Sequence, residues 1–210
     1  MITIAPSTYH DADPANGESG RRLAALFVRL VTSLPDVSAV CDLGCGNGYL
    51  AGLLGSAGHE IVGVDASQSG IAIARKTYGT SARFFHANID VRLATTLGHR
   101  FDAVVSSDVI EHLYRPRELM RCAATLLRPG GWLVVGTPYH GYLKNLVLGI
   151  VNGWDAHHGV DWDGGHIKFF SVGTLSRLLE EEGFSVSRFA YHGRVAWLWK
   201  NMICIAKKVD

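Results

Sequence analysis

Apolar residues in this chain recur with two periods, and the switching between them predicts the elements. Leu23, Leu26, Phe27, Leu30 and Val31 fall at helical spacing, so a helix is expected over residues 22–34, capped by Ser19 and stopped by Pro35. Residues 37–41 are small or β-branched without helical period and read as a buried strand. A helix over 49–57 follows and ends at Gly58. The next apolar run, 60–65, reads as a second strand, after which Ser67 caps a helix carrying Ile71, Ile73 and Ala74 up to Tyr78. Strands are expected at 82–87, 101–106 and 132–136, with a helix over 116–127 before the last. Ser171 caps a helix over 172–182 ended by Gly183, and strands at 185–191 and 202–207 close the chain. Such alternation implies an α/β fold of parallel strand-helix-strand units with helices on both faces, whose ligands bind at the carboxyl ends of the strands. Gly44, Asp65, Asn88 and Ser107 all fall there.

Two segments stand outside that rhythm. Residues 1–20 are rich in Pro, Ser, Asp, Asn and Gly and read as a mobile arm. Residues 138–170 read as an insertion, or lid, over the site, in which Tyr142, Leu143, Leu146, Val147, Ile150, Val151 and Trp154 form one apolar stripe with Lys144 as its only charge. A stripe of this kind packs as a pocket wall on its own domain, or meets a membrane surface or a lipid-like substrate such as a quinol.

The length, 210 residues, favours a single domain, and with 48% hydrophobic and 19% charged residues the composition is that of a globular protein. A net charge of +1 without runs of lysine and arginine argues against a nucleic-acid partner. Cys41, Cys45, Cys122 and Cys204 form no metal-binding pair and read as reduced, buried thiols. No secretory signal or transmembrane run is recognisable, so a cytoplasmic protein is expected.

The chemistry concentrates first in the loop between the first predicted strand and helix. Asp42 ends the apolar run, and Gly44, Gly46 and Gly48 follow at alternating positions, so the backbone can turn sharply and a ligand can approach it. Dinucleotide-binding proteins use a similar loop, but there the third glycine comes three residues after the second and faces a pyrophosphate. Here the interval is two and an acid lies beside the loop, which suits a cationic or amine-bearing ligand. Asp65 ends the second strand, where a carboxylate grips ribose hydroxyls.

With these motifs in this order, residues 37–184 resemble the class I S-adenosylmethionine-dependent methyltransferases. The resemblance implies a Rossmann-like three-layer sandwich whose mostly parallel seven-stranded sheet has an antiparallel last strand slipped between the two before it. It also implies S-adenosylmethionine as cofactor, bound by Asp42, Gly44, Gly46, Gly48, Asp65, Ala66, Asn88, Ile89, Ser106 and Ser107. Asn88 stands where relatives often carry an aspartate facing the adenine amine; its carbonyl can accept the same hydrogen bond, with Asp90 as fallback.

The second constellation is the run from Ser106 to His112. If a helix starts at Asp108, then Asp108, Glu111 and His112 project from one face towards the methyl donor, and two carboxylates with an imidazole offer a site for Mg²⁺. The segment resembles that of the ubiquinone-biosynthesis O-methyltransferases, in which an acid, a glutamate and the adjacent histidine are associated with a divalent metal. Three readings stand open: metal ligation by Asp108, Glu111 and His112; His112 as general base; or a loop-orienting role. Asp155, His157, His158, Asp161, Asp163 and His166 crowd the insertion without a recognised zinc spacing. The stretch 164–171 resembles the return to the sheet in the same relatives, which singles out His166 as a catalytic candidate. Trp197 and Trp199 either wall the acceptor pocket or belong to the core. The expected activity is O-methylation of a small aromatic or quinol-like acceptor. N- or C-methylation, a non-catalytic donor-binding protein and a nucleotide-dependent oxidoreductase are the rivals.

Overall fold

In a computed structural model, residues 17–98, 100–155, 165–193 and 195–209 are described. The elements run α1 (Gly17–Thr32), β1 (Ala39–Leu43), α2 (Tyr49–Ser56), β2 (Glu60–Asp65), α3 (Gln68–Tyr78), β3 (Arg83–His86), α4 (Leu93–Leu97) and β4 (Phe101–Ser107). A 3₁₀ turn at Ile110–His112 leads to α5 (Pro116–Leu126), β5 (Leu127–Pro138), α6 (Tyr142–Ile150), α7 (Val172–Glu181), β6 (Phe184–His192) and β7 (Asn201–Lys208). The sheet has seven strands in the order β3-β2-β1-β4-β5-β7-β6. β7 is antiparallel to both β5 and β6, and the other pairings are parallel. The expected sandwich with its inserted antiparallel last strand is the observed one.

One apolar core lies on each face of the sheet. Phe27 and Val31 of α1, Leu54 of α2 and Ile71 of α3 pack against Val40, Val105 and Ile205 on one side. On the other, Leu119 and Met120 of α5 and Leu175 and Leu179 of α7 meet Leu43, Val104 and Val135. Residues buried on both faces explain why these strands read as continuous apolar runs.

Several boundaries move, for identifiable reasons. α1 begins at Gly17, so Ser19 lies in its first turn instead of capping it and takes a hydrogen bond from Lys200 Nζ at 3.0 Å. Of the expected arm, residues 17–20 are therefore helical and 1–16 lie outside the described residues. β1 is shifted two residues along, its start fixed where Ser38 N and Ala39 N donate to Asp102 Oδ2 at 2.7 and 2.9 Å. Asp42 consequently sits inside the strand. β5 reaches back to Leu127 because a bulge absorbs Arg128–Gly131, pairing Leu127 with Phe101 and Trp132 with Ala103. α4, of five residues, was too short to show a period. Ser67 and Ser171 cap α3 and α7 as expected, the latter in a reciprocal capping box with Thr174.

The stripe on α6 has the expected period and the opposite orientation. Tyr142 is 83% exposed and Ile150 74%, with Leu143, Leu146 and Val147 exposed beside them, whereas Lys144 is only 2% exposed. The Lys144 ammonium donates to the Tyr139 carbonyl at 2.7 Å. Lys144 and Leu148 are the residues of this helix turned inward, and most of the apolar stripe is turned outward. No helix among the described residues is long and apolar enough to cross a membrane.

Candidate active site

The carboxyl ends of β1 and β2 build the first half of the site. Gly44 N and Cys45 N donate to Val64 O at 2.8 and 3.1 Å, so the glycine loop is laid across the end of β2. Gly44 and Gly48 have φ of +80° and +81°, where side chains are strained. Space forbids a side chain as well: a Cβ on Gly44 would lie 2.4 Å from Val109 Cγ2, and one on Gly48 2.7 Å from Ala74 Cβ. Asp65 locks the loop, its Oδ2 accepting from Gly46 N at 2.8 Å and its Oδ1 from Ser67 N at 2.7 Å. Both oxygens keep a further lone pair for a ligand hydroxyl.

Asp42 lies beneath this loop. Its carboxylate is buried and Oδ2 has no hydrogen-bond partner among the described residues. Burial, then the nearby Asp65 charge, pushes its pKa up to about 7. A desolvated acid without a partner is a receptor for positive charge.

The remaining donor-side candidates divide. Ala66 O lies 3.0 Å from His86 Nε2 at the end of β2, Asn88 is exposed after β3, and Ile89 is half-buried. Asp90, the fallback, is engaged by Arg92, whose Nη2 donates to Oδ2 at 2.8 Å and whose backbone N donates to Oδ1 at 2.7 Å. Ser106 is wholly buried and its hydroxyl donates to Leu43 O at 2.8 Å, which ties β4 to β1. Ser107 is half-buried, and its hydroxyl donates to Asp108 Oδ2 at 3.3 Å.

The second half of the site corrects the expected geometry after β4. No helix starts at Asp108: its φ is +53°, and the chain forms only the 3₁₀ turn at Ile110–His112. Asp108 N donates to Gly136 O at 3.0 Å, and Asn201 Nδ2 donates to Asp108 Oδ1 at 2.8 Å. The side chain is thereby tied to β7 through Asn201. Among the described residues, the group whose ligand atoms lie within 4.8 Å of one another is Glu111, His112 and His166.

Glu111 is fully buried. Thr137 Oγ1 donates to its Oε2 at 3.0 Å, while Oε1 has no hydrogen-bond partner among the described residues. Burial first, then Asp108, raises the Glu111 carboxyl well above the usual carboxylate range. The Glu111 carbonyl accepts from Ile167 N and Lys168 N at 2.9 and 3.0 Å, which pins the end of the insertion here. The His112 and His166 rings meet edge to face with centroids 4.9 Å apart, and His112 Nδ1 lies 3.3 Å from Gly165 O. This donor set does not match the expected Mg²⁺ site, because Mg²⁺ prefers oxygen ligands and the cluster offers one carboxylate and two imidazoles.

Thr137 and Asn201 were not singled out from the sequence. Their signal was a polar residue at the end of one apolar strand and at the start of another, positions that meet at the site because Pro138 pairs with Asn201. Trp199 stacks on Tyr191 at 3.9 Å and packs on the core, whereas Trp197 is 62% exposed with φ of +67°. Asp155 is exposed; His157, His158, Asp161 and Asp163 lie outside the described residues.

Known proteins agree with this architecture. The profile of the family described as "Methyltransferase domain" matches residues 15–188. The ubiquinone biosynthesis O-methyltransferase of Roseobacter denitrificans is 31% identical over 170 residues, 77% of this chain and 66% of that protein. Its counterpart in Bradyrhizobium diazoefficiens is 36% identical over 183 residues, 78% of this chain and 69% of that protein. The chain thus spans about two thirds of the length of these curated relatives. Magnesium protoporphyrin IX methyltransferase from Synechocystis, solved with bound SAH, has the same fold, with a TM-score of 0.68 at 20% identity over 90% of this chain and 84% of that one. With a profile match that runs from α1 to β6, the chain belongs to the methyltransferase-domain family.

Proposed function

We propose that the chain binds S-adenosylmethionine across Asp42, the glycine loop and Asp65, and transfers its methyl group to a hydroxyl oxygen of a small aromatic, quinol-like acceptor. The observation that carries the donor half is the unpartnered Oδ2 of buried Asp42. A pyrophosphate would be repelled there, whereas a donor bearing an ammonium and a sulfonium supplies the missing positive charge. The methyl group of a sulfonium is already electrophilic, so the protein's tasks are alignment and exclusion of water.

The acceptor half rests on the His112–His166 pair at the mouth. An imidazole nitrogen can take a phenolic proton as oxygen attacks the methyl carbon. In that step an oxygen–carbon bond forms, the carbon–sulfur bond breaks with its electrons on sulfur, and the proton passes to a ring nitrogen. The names of the relatives favour oxygen as nucleophile and a ubiquinone precursor as acceptor. The exposed apolar face of α6 suits an acceptor with a long apolar tail or contact with the surface of a membrane that holds one. We place the protein in the reducing cytoplasm, where its four buried cysteines stay thiols; burial pushes Cys122 and Cys204 up to about 12.

The test is methyl transfer from labelled S-adenosylmethionine to a panel of catechols, quinols and amines. Label on hydroxylated aromatics supports the proposal. Label on amines alone replaces oxygen by nitrogen as nucleophile. Tight donor binding without transfer to any acceptor favours a donor-binding protein, and retention of NAD in place of the donor revives the oxidoreductase.

A further inference from the structure

We propose that His192 and Trp197, at the end of β6 and ahead of β7, recognise the aromatic acceptor: the Trp197 indole stacks on its ring, and His192 Nδ1 hydrogen-bonds a polar ring substituent other than the reacting hydroxyl. The inference rests on the function proposed above and adds to it the residues that select the acceptor and fix which hydroxyl reacts.

Both residues lie at the acceptor end. β7 runs antiparallel to β5, so its start at Asn201 stands beside Pro138, at the same end of the sheet as the glycine loop and the turn after β4. Tyr139 N donates to Lys200 O at 3.0 Å and Asn201 Nδ2 to Asp108 Oδ1 at 2.8 Å, which ties the start of β7 to the chain leaving β5 and to the chain leaving β4. β7 lies four strand spacings from β2, about 19 Å, so a nucleoside gripped by Asp65 does not extend to these residues.

Two interactions are left unmet here. His192 stands directly opposite Asn201, so the two side chains leave one face of the sheet with Cβ atoms about 5 Å apart. Asn201 is committed to Asp108, whereas the buried Nδ1 of His192 has no hydrogen-bond partner among the described residues. A hydroxyl or carbonyl of a ligand satisfies it. Trp197 is 62% exposed and held at φ of +67°, a left-handed backbone that a bulky residue rarely adopts. Leu198 N donates to Val195 O at 3.1 Å, so this conformation belongs to a closed turn. Backbone strain of this kind collects at ligand sites. Behind Trp197, tilted by 45° at 5.6 Å, stands Trp199, stacked on Tyr191 at 3.9 Å with Tyr139 edge-on at 5.3 Å. An exposed indole is thus carried on a packed aromatic wall, and an aromatic ring is the partner that such a face takes.

The test measures methyl transfer to a methyl-substituted catechol, whose two hydroxyls are inequivalent. His192→Leu and Trp197→Ala should each raise the acceptor KM about 5- to 10-fold with kcat within about 3-fold. His192→Asn, which keeps an amide near the place of Nδ1, and Trp197→Phe, which keeps a ring, should restore most of the loss. Wild-type protein should label mainly one hydroxyl, and His192→Leu should bring the two products towards equal amounts, a change that a merely structural role does not produce. Binding of S-adenosylhomocysteine, expected within about 2-fold in every variant, reports folding. In the complex with S-adenosylhomocysteine, the same catechol should quench tryptophan fluorescence, and Trp197→Phe should remove most of the quench. That arm needs no turnover, so it decides the inference even where transfer to hydroxylated aromatics, and with it the proposed function, fails. An acceptor KM and product ratio unchanged in His192→Leu, or a quench undiminished in Trp197→Phe, overturns the inference.

Discussion

The two halves of the site are built in opposite ways. At the donor end, Asp42, Gly44, Gly46, Asp65 and Ser67 come from two adjacent parallel strands and the turns that follow them, and backbone hydrogen bonds fix the loop before any ligand arrives. At the acceptor end, Asp108, Glu111, Thr137, His166 and Asn201 come from four separate stretches of chain and are held to one another by a few long-range hydrogen bonds, some of side chains and some of backbone. The donor half is therefore a rigid backbone platform with a single unmet charge. The acceptor half is an assembly whose geometry depends on a few long-range contacts. A conserved cofactor suits the first design, and a variable acceptor suits the second, because side-chain contacts can change without disturbing the sheet.

If the donor half is backbone-built, its glycines should be the most sensitive positions. Gly44→Ala places a Cβ 2.4 Å from Val109 in a left-handed backbone. Left-handed strain of about 1–2 kcal/mol and overpacking of about 1–3 kcal/mol add to roughly 2–5 kcal/mol of lost stability. Chemical denaturation should show that loss, and calorimetry should show donor binding abolished in whatever remains folded.

The unmet charge should appear in pH dependence. The Asp42 carboxyl, raised from an ordinary 3.8 to about 7, is more easily protonated in the fold than in the unfolded chain. In the ligand-free protein its stabilising contribution is fully present below about pH 3.8 and is lost as pH rises through about 7. A cationic donor selects the ionised form, so donor affinity should rise nearly tenfold between pH 5 and 6, about 50-fold between pH 5 and 7, and level off above. Asp42→Asn should flatten that profile, weaken donor binding at pH 8 and make the ligand-free protein more stable there. A donor affinity independent of pH between 5 and 8 would separate Asp42 from the donor.

The same contrast explains what could be read from the sequence. At the donor end the signals are contiguous: an acid at a strand end, glycines at fixed intervals and a capping serine each have a local cause, and Asp65 ends β2 and Ser67 caps α3 as that reasoning has them, while Asp42 lies one residue inside the end of β1. At the acceptor end the geometry turns on one backbone reversal at Asp108, with φ of +53°, and on a partner 93 residues away, Asn201. Neither leaves a periodic trace, so a helix at Asp108 was the natural expectation. His166 was legible as a residue of interest, but not as the neighbour of Glu111, because that contact runs through the backbone of Ile167 and Lys168. On α6 the period revealed that an apolar face exists and not what it faces; Lys144, the lone charge, proved to be the inward residue.

Removing the long-range contact should damage the acceptor half alone. Asn201→Ala takes away the donor to Asp108 Oδ1. A hydrogen bond to a charged group is worth about 1.5–3 kcal/mol, so kcat should fall about tenfold or somewhat more. Donor affinity, governed by the ends of β1 and β2, should stay within about twofold. Equal losses in both would mean that the two halves are coupled, and the contrast drawn above would fail.

The smallest effect should come from the outward face of α6. Tyr142 and Ile150 are 83% and 74% exposed, so replacing them by Gln removes little packing, and stability should change by no more than about 0.5 kcal/mol. If a long apolar tail lies along this face, each replacement uncovers some 40 Å² of apolar contact, worth about 1 kcal/mol at roughly 25 cal/mol per Å². The KM for a tailed quinol should then rise about fivefold, while a short-chain analogue, which never reaches α6, should show an unchanged KM. kcat should be the same for both acceptors, since neither residue belongs to the cluster that handles the proton. An equal rise for short and long acceptors would place Tyr142 and Ile150 in the mouth itself and return the helix to the role of a pocket wall.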